Sequence, residues 1–265
     1  MSIFDTDSMK NQSKINKLLH SQPYGTIFTS GWMLRNGYSH ALQQRYKESG
    51  WLVPIGNGAS KRFGDEVSVE GALYTLQKQM ELSVHIGGKS ALAIMGRSHY
   101  LQMGKSRLVL FSRADEKLPK WFAEYDWEVT IDYNSSNFLE DEIGMVESDI
   151  QNFKVRISGE IRALLECLYL SSRDQNIMEC YEILEGMSNL RPQLVQKLLE
   201  GCNSVKVKRL FLFMAEKAGH AWVKYLKQDC LDLGSGKRSI VPNGAYVKKY
   251  QITVPKELMK NGESI

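Results

Sequence analysis

Four polar side chains near the start of the chain have helical spacing and the chemistry to contact base edges. They are spaced i, i+3, i+4 and i+7 and so share one side of a helix: His40, Gln43, Gln44 and Lys47. A glutamine amide can pair with both N6 and N7 of adenine in the major groove. Lys47 or the neighbouring Arg45 can meet guanine or phosphate. These residues predict a helix that contacts DNA.

Capping residues and glycines place this stripe in a helix-turn-helix. Thr29 can cap a short first helix, and Gly37 supplies the left-handed residue for a sharp turn. Ser39 can then cap the recognition helix, where it is also a candidate for DNA contact, and Gly50 ends that helix. The opposite side of the recognition helix is predicted to face the core: Tyr38, Ala41, Leu42 and Tyr46.

A basic hairpin follows the predicted recognition helix. Residues 51–55 are apolar and β-prone, and residues 56–58 are a hairpin turn signal. Lys61 and Arg62 come next, where the wing of a winged helix would meet the sugar-phosphate backbone. Residues 26–28 predict a short strand that pairs with this hairpin. The order of elements favours DNA binding over a merely solvated helical pair, which stays the alternative.

Length and composition indicate a globular protein of two domains. The chain has 265 residues, of which 43% are hydrophobic and 24% are charged. No apolar run approaches the roughly 20 residues that span a bilayer, and the first residues lack a signal core, so we expect a cytoplasmic protein. Neither a metal site nor a disulfide framework is predicted, because the cysteines and histidines are scattered. The cysteines are Cys167, Cys180, Cys202 and Cys230.

Charge is distributed unevenly along the chain. Residues 126–150 carry eight acids and no Lys or Arg, whereas residues 186–265 carry fourteen Lys or Arg against six acids. The basic portion would either add phosphate contacts or form a solvated face. The acidic segment would either mimic nucleic acid towards a basic partner or be a solvated loop.

The remaining pattern predicts an α+β protein. We expect a winged helix-turn-helix over residues 1–85 and a larger mixed α/β domain with a helical C-terminal portion over residues 86–265. Four β-prone runs predict a small sheet, residues beyond 157 predict four helices, and Pro242-Asn243-Gly244 predicts a hairpin-type turn. The four runs are LSVHIGG, SALAIMG, RLVLF and WEVTI.

Two further motifs invite a catalytic interpretation. Residues 234–238, GSGKR, lack the spacing of a phosphate-binding loop, because Arg238 stands where a hydroxyl is required. A glycine-rich turn is favoured there, with a phosphate cradle as the alternative. His85 and His99 could act as acid and base, but no carboxylate or nucleophile at a recognisable spacing accompanies them. No catalytic residue, metal or cofactor is therefore predicted.

Several motifs together resemble the AbiEi-type antitoxins of bacterial AbiE toxin-antitoxin and abortive phage infection systems. The resemblance covers about residues 10–258 and rests on HIGGKSALAIMGRSHYL, KVKRLFLFMAEKAGHAW, LGSGKR and YQITVP. It implies a winged helix that represses its own operon at inverted repeats in the promoter. It also implies a C-terminal domain that counteracts a nucleotidyltransferase-like toxin, in a type IV system without a stable complex of the two proteins.

The resemblance also assigns candidate residues. The recognition helix corresponds to residues 39–49 and the wing to residues 56–63. Charged positions of the C-terminal motifs are candidates for an antitoxin contact or an additional DNA contact: Lys206, Lys208, Arg209, Lys237 and Arg238. Two alternatives stay open, a plain transcriptional regulator with a ligand-sensing C-terminal domain and an enzyme that acts on nucleotides or on the toxin.

Overall fold

The computed structural model describes residues 13–97, 107–171 and 177–259. The chain forms two compact units that interleave in sequence. The first contains the described residues up to Val84 with 117–128 and 147–155, and the second contains those of 85–116, 129–146 and 156–259. The division into domains 1–85 and 86–265 stays a prediction, because compactness does not test whether either range folds alone. Within the described ranges no helix has the length and apolar composition to cross a membrane.

The described elements follow one another along the chain in a mixed order. The helices are α1 (Lys14–His20), α2 (Ser30–Arg35), α3 (His40–Glu48), α4 (Val69–Lys78), α5 (Gly88–Ile94), α6 (Lys120–Ala123), α7 (Glu160–Leu170), α8 (Ile177–Glu185), α9 (Pro192–Glu200) and α10 (Val205–Lys217). The strands are β1 (Phe28–Thr29), β2 (Leu52–Gly56), β3 (Ala59–Arg62), β4 (His85–Ile86), β5 (Arg107–Ser112), β6 (Thr130–Ser135), β7 (Met145–Ile150), β8 (Phe153–Ser158), β9 (Arg238–Ser239), β10 (Ala245–Val247) and β11 (Ile252–Val254).

The first unit contains the predicted winged helix-turn-helix. Its three-stranded sheet has the order β1-β3-β2 with antiparallel pairs, and β1 joins the hairpin as predicted. The hydroxyl of Thr29 caps α2 and that of Ser39 caps α3. Apolar side chains from the helices and the sheet form one buried cluster: Leu18, Phe28, Met33, Tyr38, Tyr46 and Leu52. The fold-class prediction is confirmed.

The predicted small sheet exists, with two differences from the expected runs. Its five strands have the order β6-β5-β4-β8-β7. The run SALAIMG is not a strand, because residues 88–94 form α5 and the backbone N–H of Gly88 donates to the buried carboxylate of Glu166 at 2.8 Å. The last run is displaced, since Glu128 has φ of +59° and the strand begins only at Thr130.

The four predicted helices of the C-terminal portion are α7 to α10. Ser158 does not cap α7, as its hydroxyl donates instead to Glu166 at 2.8 Å. Pro192 occupies the first turn of α9, where its missing N–H costs no intrahelical hydrogen bond. The turn at 242–244 does not close a hairpin, because β9 and β10 lie on either side of β11 and do not pair with each other.

Candidate nucleic-acid interface

The outward side of α3 is rotated relative to the predicted stripe. His40, Gln44 and Arg45 are exposed, as expected for base or phosphate contacts, whereas Lys47 is half-buried. Ala41 and Glu48 are also exposed and complete this side. The exposed α3 face is therefore His40, Ala41, Gln44, Arg45 and Glu48. It keeps three of the predicted candidates and adds an acid that the sequence pattern did not single out.

Gln43 does not belong to this face. Its side chain is buried, with 2% of its surface exposed. The amide oxygen accepts from the hydroxyl of Ser30 at 2.7 Å, and the amide nitrogen donates to the carbonyl of Tyr38 at 2.8 Å. These bonds join α3 to α2 and occupy the groups that would pair with adenine. Burial therefore contradicts the predicted role of Gln43 in base contact.

The start of α3 is open to solvent. Ser39 and His40 are exposed, and the hydroxyl of Ser39 accepts from the backbone N–H of Leu42 at 3.4 Å. A capping hydroxyl at an exposed helix N-terminus can still donate its proton outward. This geometry is compatible with the predicted phosphate or base contact by Ser39.

The two cations predicted for the wing lie in different environments. The hairpin tip, residues 56–58, is exposed, and Lys61 is half-buried on β3 opposite Val53. Arg62 is buried, and its guanidinium donates to the carbonyls of Leu19 and Pro23 at 2.9 Å each and to Asp65 at 3.1 Å. This placement contradicts a phosphate contact by Arg62.

The environment of Arg62 is that of a structural cation. Burial lowers the pKa of Arg62, and the hydrogen bond with the Asp65 carboxylate opposes that shift. A third carbonyl, that of Gln22, also accepts from the guanidinium. Because these acceptors lie in the last turn of α1, in the connection after it and just beyond the hairpin, Arg62 ties α1 and that connection to the wing.

The C-terminal candidates divide into buried and exposed cations. Lys208 and Arg209 are buried, with 4% and 3% of their surfaces exposed. Arg209 donates to the carbonyls of Leu233 at 2.7 Å, Gly236 at 2.7 Å and Gly234 at 3.0 Å. The predicted partner-contacting role is therefore contradicted for Lys208 and Arg209. Arg209 instead holds the glycine-rich loop in place.

Lys206 is half-buried, and its ammonium donates to the carbonyl of Tyr169 at 2.7 Å. Lys237 and Arg238, by contrast, are exposed at the end of the loop that Arg209 holds. The ammonium of Lys237 lies 5.2 Å from the ring centroid of Tyr246. These two residues are the C-terminal candidates best placed to meet a partner.

The acidic segment does not present a bare negative surface. Four of its carboxylates pair with cations of neighbouring residues in the described structure. The pairs are Asp132 with Arg107 at 2.7 Å, Asp141 with Arg113 at 3.6 Å, Glu142 with Arg156 at 2.7 Å and Glu147 with Lys154 at 4.0 Å. This pairing favours a solvated, locally neutralised surface over mimicry of nucleic acid.

One of the two histidine candidates for acid-base chemistry, His85, is engaged in an internal contact. His85 is buried, and its Nε2 lies 3.2 Å from Oε1 of Glu166. Arg162 contacts the same carboxylate oxygen at 3.1 Å. These groups form a closed internal network. Arg162 and Glu166 have the spacing of a helical i, i+4 pair, but the separation of 81 residues between His85 and Glu166 gave no means of predicting the network. His99 lies outside the described residues.

The fold defines a winged-helix protein with a second unit of mixed α and β structure. The chain belongs to the family of AbiEi antitoxins, which are transcriptional regulators of type IV toxin-antitoxin systems. The family described as "Transcriptional regulator, AbiEi antitoxin, Type IV TA system" matches residues 105–255, and the corresponding N-terminal domain family matches residues 11–103. The resemblance predicted from the motifs is thus confirmed.

Comparison with solved structures shows the same fold in a distant protein. The chain is similar to the RV2827C protein from Mycobacterium tuberculosis, with a TM-score of 0.58, 13% sequence identity and coverage of 92% of each chain. A comparison with curated proteins finds no match. As a member of a family of regulators and antitoxins, the chain has DNA and a cognate toxin as its partners in general terms.

Proposed function

We propose that this protein represses its own promoter by binding inverted repeats through the winged head, and that it counteracts a nucleotidyltransferase-like toxin without forming a stable complex. It acts as a regulator and not as an enzyme. The observation that carries the DNA-binding part is the exposed α3 face, which offers His40, Gln44 and Arg45 beside a hairpin with an exposed tip. Family membership supports both parts.

The test of DNA binding uses the full-length protein. A gel shift compares its own promoter with a scrambled duplex of the same composition. Gln44→Ala with Arg45→Ala should weaken promoter binding by roughly 1 to 3 kcal/mol for every base pairing that the substitutions remove. The control is Gln193→Ala, which removes an exposed glutamine from α9. Equal binding of the promoter and the scrambled duplex by the parent protein would contradict the proposal.

The antitoxin part is proposed for the exposed basic loop of the second unit. Lys237 and Arg238 pair with no carboxylate among the described residues, and Arg209 fixes the loop that presents them. A cationic, preorganised loop suits an anionic partner, whether a toxin surface, a nucleic acid or DNA beside the operator. The toxin-facing role is the one we propose.

Growth rescue tests this assignment. The toxin and the antitoxin are expressed from independent promoters, and Lys237→Ala with Arg238→Ala should reduce rescue while leaving repression of a promoter reporter intact. Lys197→Ala with Lys256→Ala is the matched control, because it removes two other exposed cations of the second unit. Full rescue with lost repression would instead assign the loop to DNA.

A further inference from the structure

The exposed α3 face contains a hydrogen-bonded pair of side chains. Gln44 and Glu48 lie one turn apart, and the amide nitrogen of Gln44 donates to Oε1 of Glu48 at 3.0 Å. Both side chains are exposed, so the pair is available to a partner. Because one N–H of Gln44 points to Glu48, the orientation of its amide group is set before any DNA arrives.

Glu48 is the one acid in α3, which otherwise carries cations or neutral residues. No cation pairs with it in the part of the chain that the structure describes. A carboxylate on a surface that approaches phosphate weakens binding to any duplex, because like charges repel. The position of Glu48 is therefore unfavourable for affinity towards DNA of any sequence. A gain in discrimination between bases would offset that cost.

The donor and acceptor pattern of the pair fits adenine and opposes guanine. With one N–H directed to Glu48, Gln44 retains an outward N–H and an outward carbonyl oxygen. These match N7 and the N6 amino group of adenine. Guanine also presents N7, which the outward N–H can meet, but in place of the N6 amino group it presents the acceptor O6, which would face the amide oxygen of Gln44. Because Glu48 holds the other N–H and so opposes a flip of the amide, Gln44 cannot turn both of its N–H groups to guanine.

We propose that Glu48 is a specificity-determining residue, which orients the amide of Gln44 for adenine and excludes guanine from the same position. This inference rests on the proposed binding of promoter DNA by the head. It names a base preference that the proposed function leaves open. Glu48 acts on the contacted base partly through Gln44, and in that respect it is a positioning residue.

The experiment measures the affinity of full-length protein for its promoter and for duplexes in which each adenine of the half-sites is replaced by guanine. At one position per half-site the parent should prefer adenine by on the order of tenfold. Glu48→Gln should reduce that preference to about twofold or less and should raise the affinity for scrambled DNA. Because Glu48 is exposed, the variant should keep the parent's thermal unfolding midpoint.

Glu66→Gln is the matched control. It removes one exposed carboxylate from the same unit outside α3, so it changes the net charge by the same amount. This control should bind slightly tighter to all duplexes and retain the adenine preference. If Glu48→Gln keeps the full preference, or if Glu66→Gln relaxes it equally, the inference is wrong while promoter binding stands. If the parent does not distinguish its promoter from the scrambled duplex, the proposed function itself fails and this inference fails with it.

Discussion

The hydroxyl of Ser30 donates to the amide oxygen of Gln43 at 2.7 Å and so joins the first and second helices of the helix-turn-helix. Gln43→Ala removes this acceptor and also the donor to the Tyr38 carbonyl. We expect a loss of roughly 1 to 3 kcal/mol in the free energy of unfolding, because buried partners are left without hydrogen bonds. Denaturant unfolding of the full-length variant measures it.

Gln44→Ala is the comparison for that variant. The two glutamines are adjacent in sequence, but Gln44 is exposed. Its replacement should leave the unfolding free energy within about 0.5 kcal/mol of the parent and weaken promoter binding instead. A stable Gln43→Ala protein that no longer discriminates between promoter and scrambled DNA would restore Gln43 to the base-contacting face.

Lys61 and Arg62 should give different phenotypes although both lie in the wing. Lys61→Ala should flatten the slope of log affinity against log salt by about one unit, because a phosphate contact releases about one counterion. Arg62→Ala should cost roughly 3 kcal/mol of stability, since it leaves Asp65 and three carbonyls without their buried partner. Salt titrations of binding and thermal unfolding separate the two effects. An unchanged salt slope for Lys61→Ala would contradict the phosphate contact.

The helices and strands of the winged helix-turn-helix were predictable because their sequence signals are local. The caps at Thr29 and Ser39 and the turn at 56–58 act through residues within four positions of each other. The roles of Gln43 and Arg62 were not predictable, because they depend on partners at separations of 13 and about 40 residues. A polar residue near the edge of an amphipathic stripe faces solvent unless a distant group satisfies it, and a single sequence does not reveal that group.

In the second unit, too, the local patterns were predictable and the contacts between residues distant in sequence were not. The apolar stripes of α7 to α10 predicted helices correctly, since helical periodicity is itself the signal. The short run at 90–96 carries no periodicity that separates strand from helix. The helix that it forms begins at Gly88, whose backbone N–H donates to the carboxylate of Glu166, 78 residues away along the chain. The inward direction of Arg209 likewise follows from carbonyls of a loop, at separations of 24 and 25 residues.

Glu166 predicts an acid dependence of stability. Burial acts to raise its pKa, but hydrogen bonds and charges from His85, Arg162 and the Gly88 N–H outweigh burial and hold the pKa below its usual value. A carboxyl with a depressed folded pKa stabilises the fold above its unfolded pKa of about 4.3. That stabilisation disappears as the pH falls through the folded pKa.

Glu166→Gln tests this dependence. The variant should lose about 3 kcal/mol or more of unfolding free energy at neutral pH, because the buried guanidinium of Arg162 loses its counter-charge. The difference from the parent should shrink as the pH falls below about 4. Glu160→Gln, on the same helix but in a partly exposed pair with Arg97, is the control and should show a much smaller difference. A difference independent of pH would contradict an ionised Glu166.

Arg209 should support the basic loop without contacting the toxin. Arg209→Met keeps much of the side-chain volume but leaves the carbonyls of Leu233, Gly234 and Gly236 unpaired. We expect a lower thermal unfolding midpoint and reduced growth rescue together. Lys237→Ala with Arg238→Ala should reduce rescue without lowering the midpoint, since both side chains are exposed. A variant of Arg209 with parental stability and no rescue would indicate direct contact.

The last prediction concerns the isolated range 1–85, which lacks two segments of the first unit. Residues 117–128 and 147–155 belong to that unit, and α6 packs against β2 so closely that a Cβ on Gly56 would lie 2.7 Å from Cβ of Trp121. The ring of Phe153 lies 5.4 Å from that of Tyr74. Removal of buried aromatic partners costs roughly 3 to 5 kcal/mol for each side chain.

The fragment 1–85 should therefore unfold at a lower denaturant concentration than the same residues in the full chain, and it should bind promoter DNA more weakly for that reason. Hydrogen exchange of the amides of β2 and β3 compares the two proteins directly. In the full chain, Trp121→Ala should lower protection of these same amides, whereas Trp222→Ala, a buried tryptophan of the second unit, should leave them protected. Equal protection in the fragment and in the full chain would mean that residues 1–85 are a self-sufficient domain.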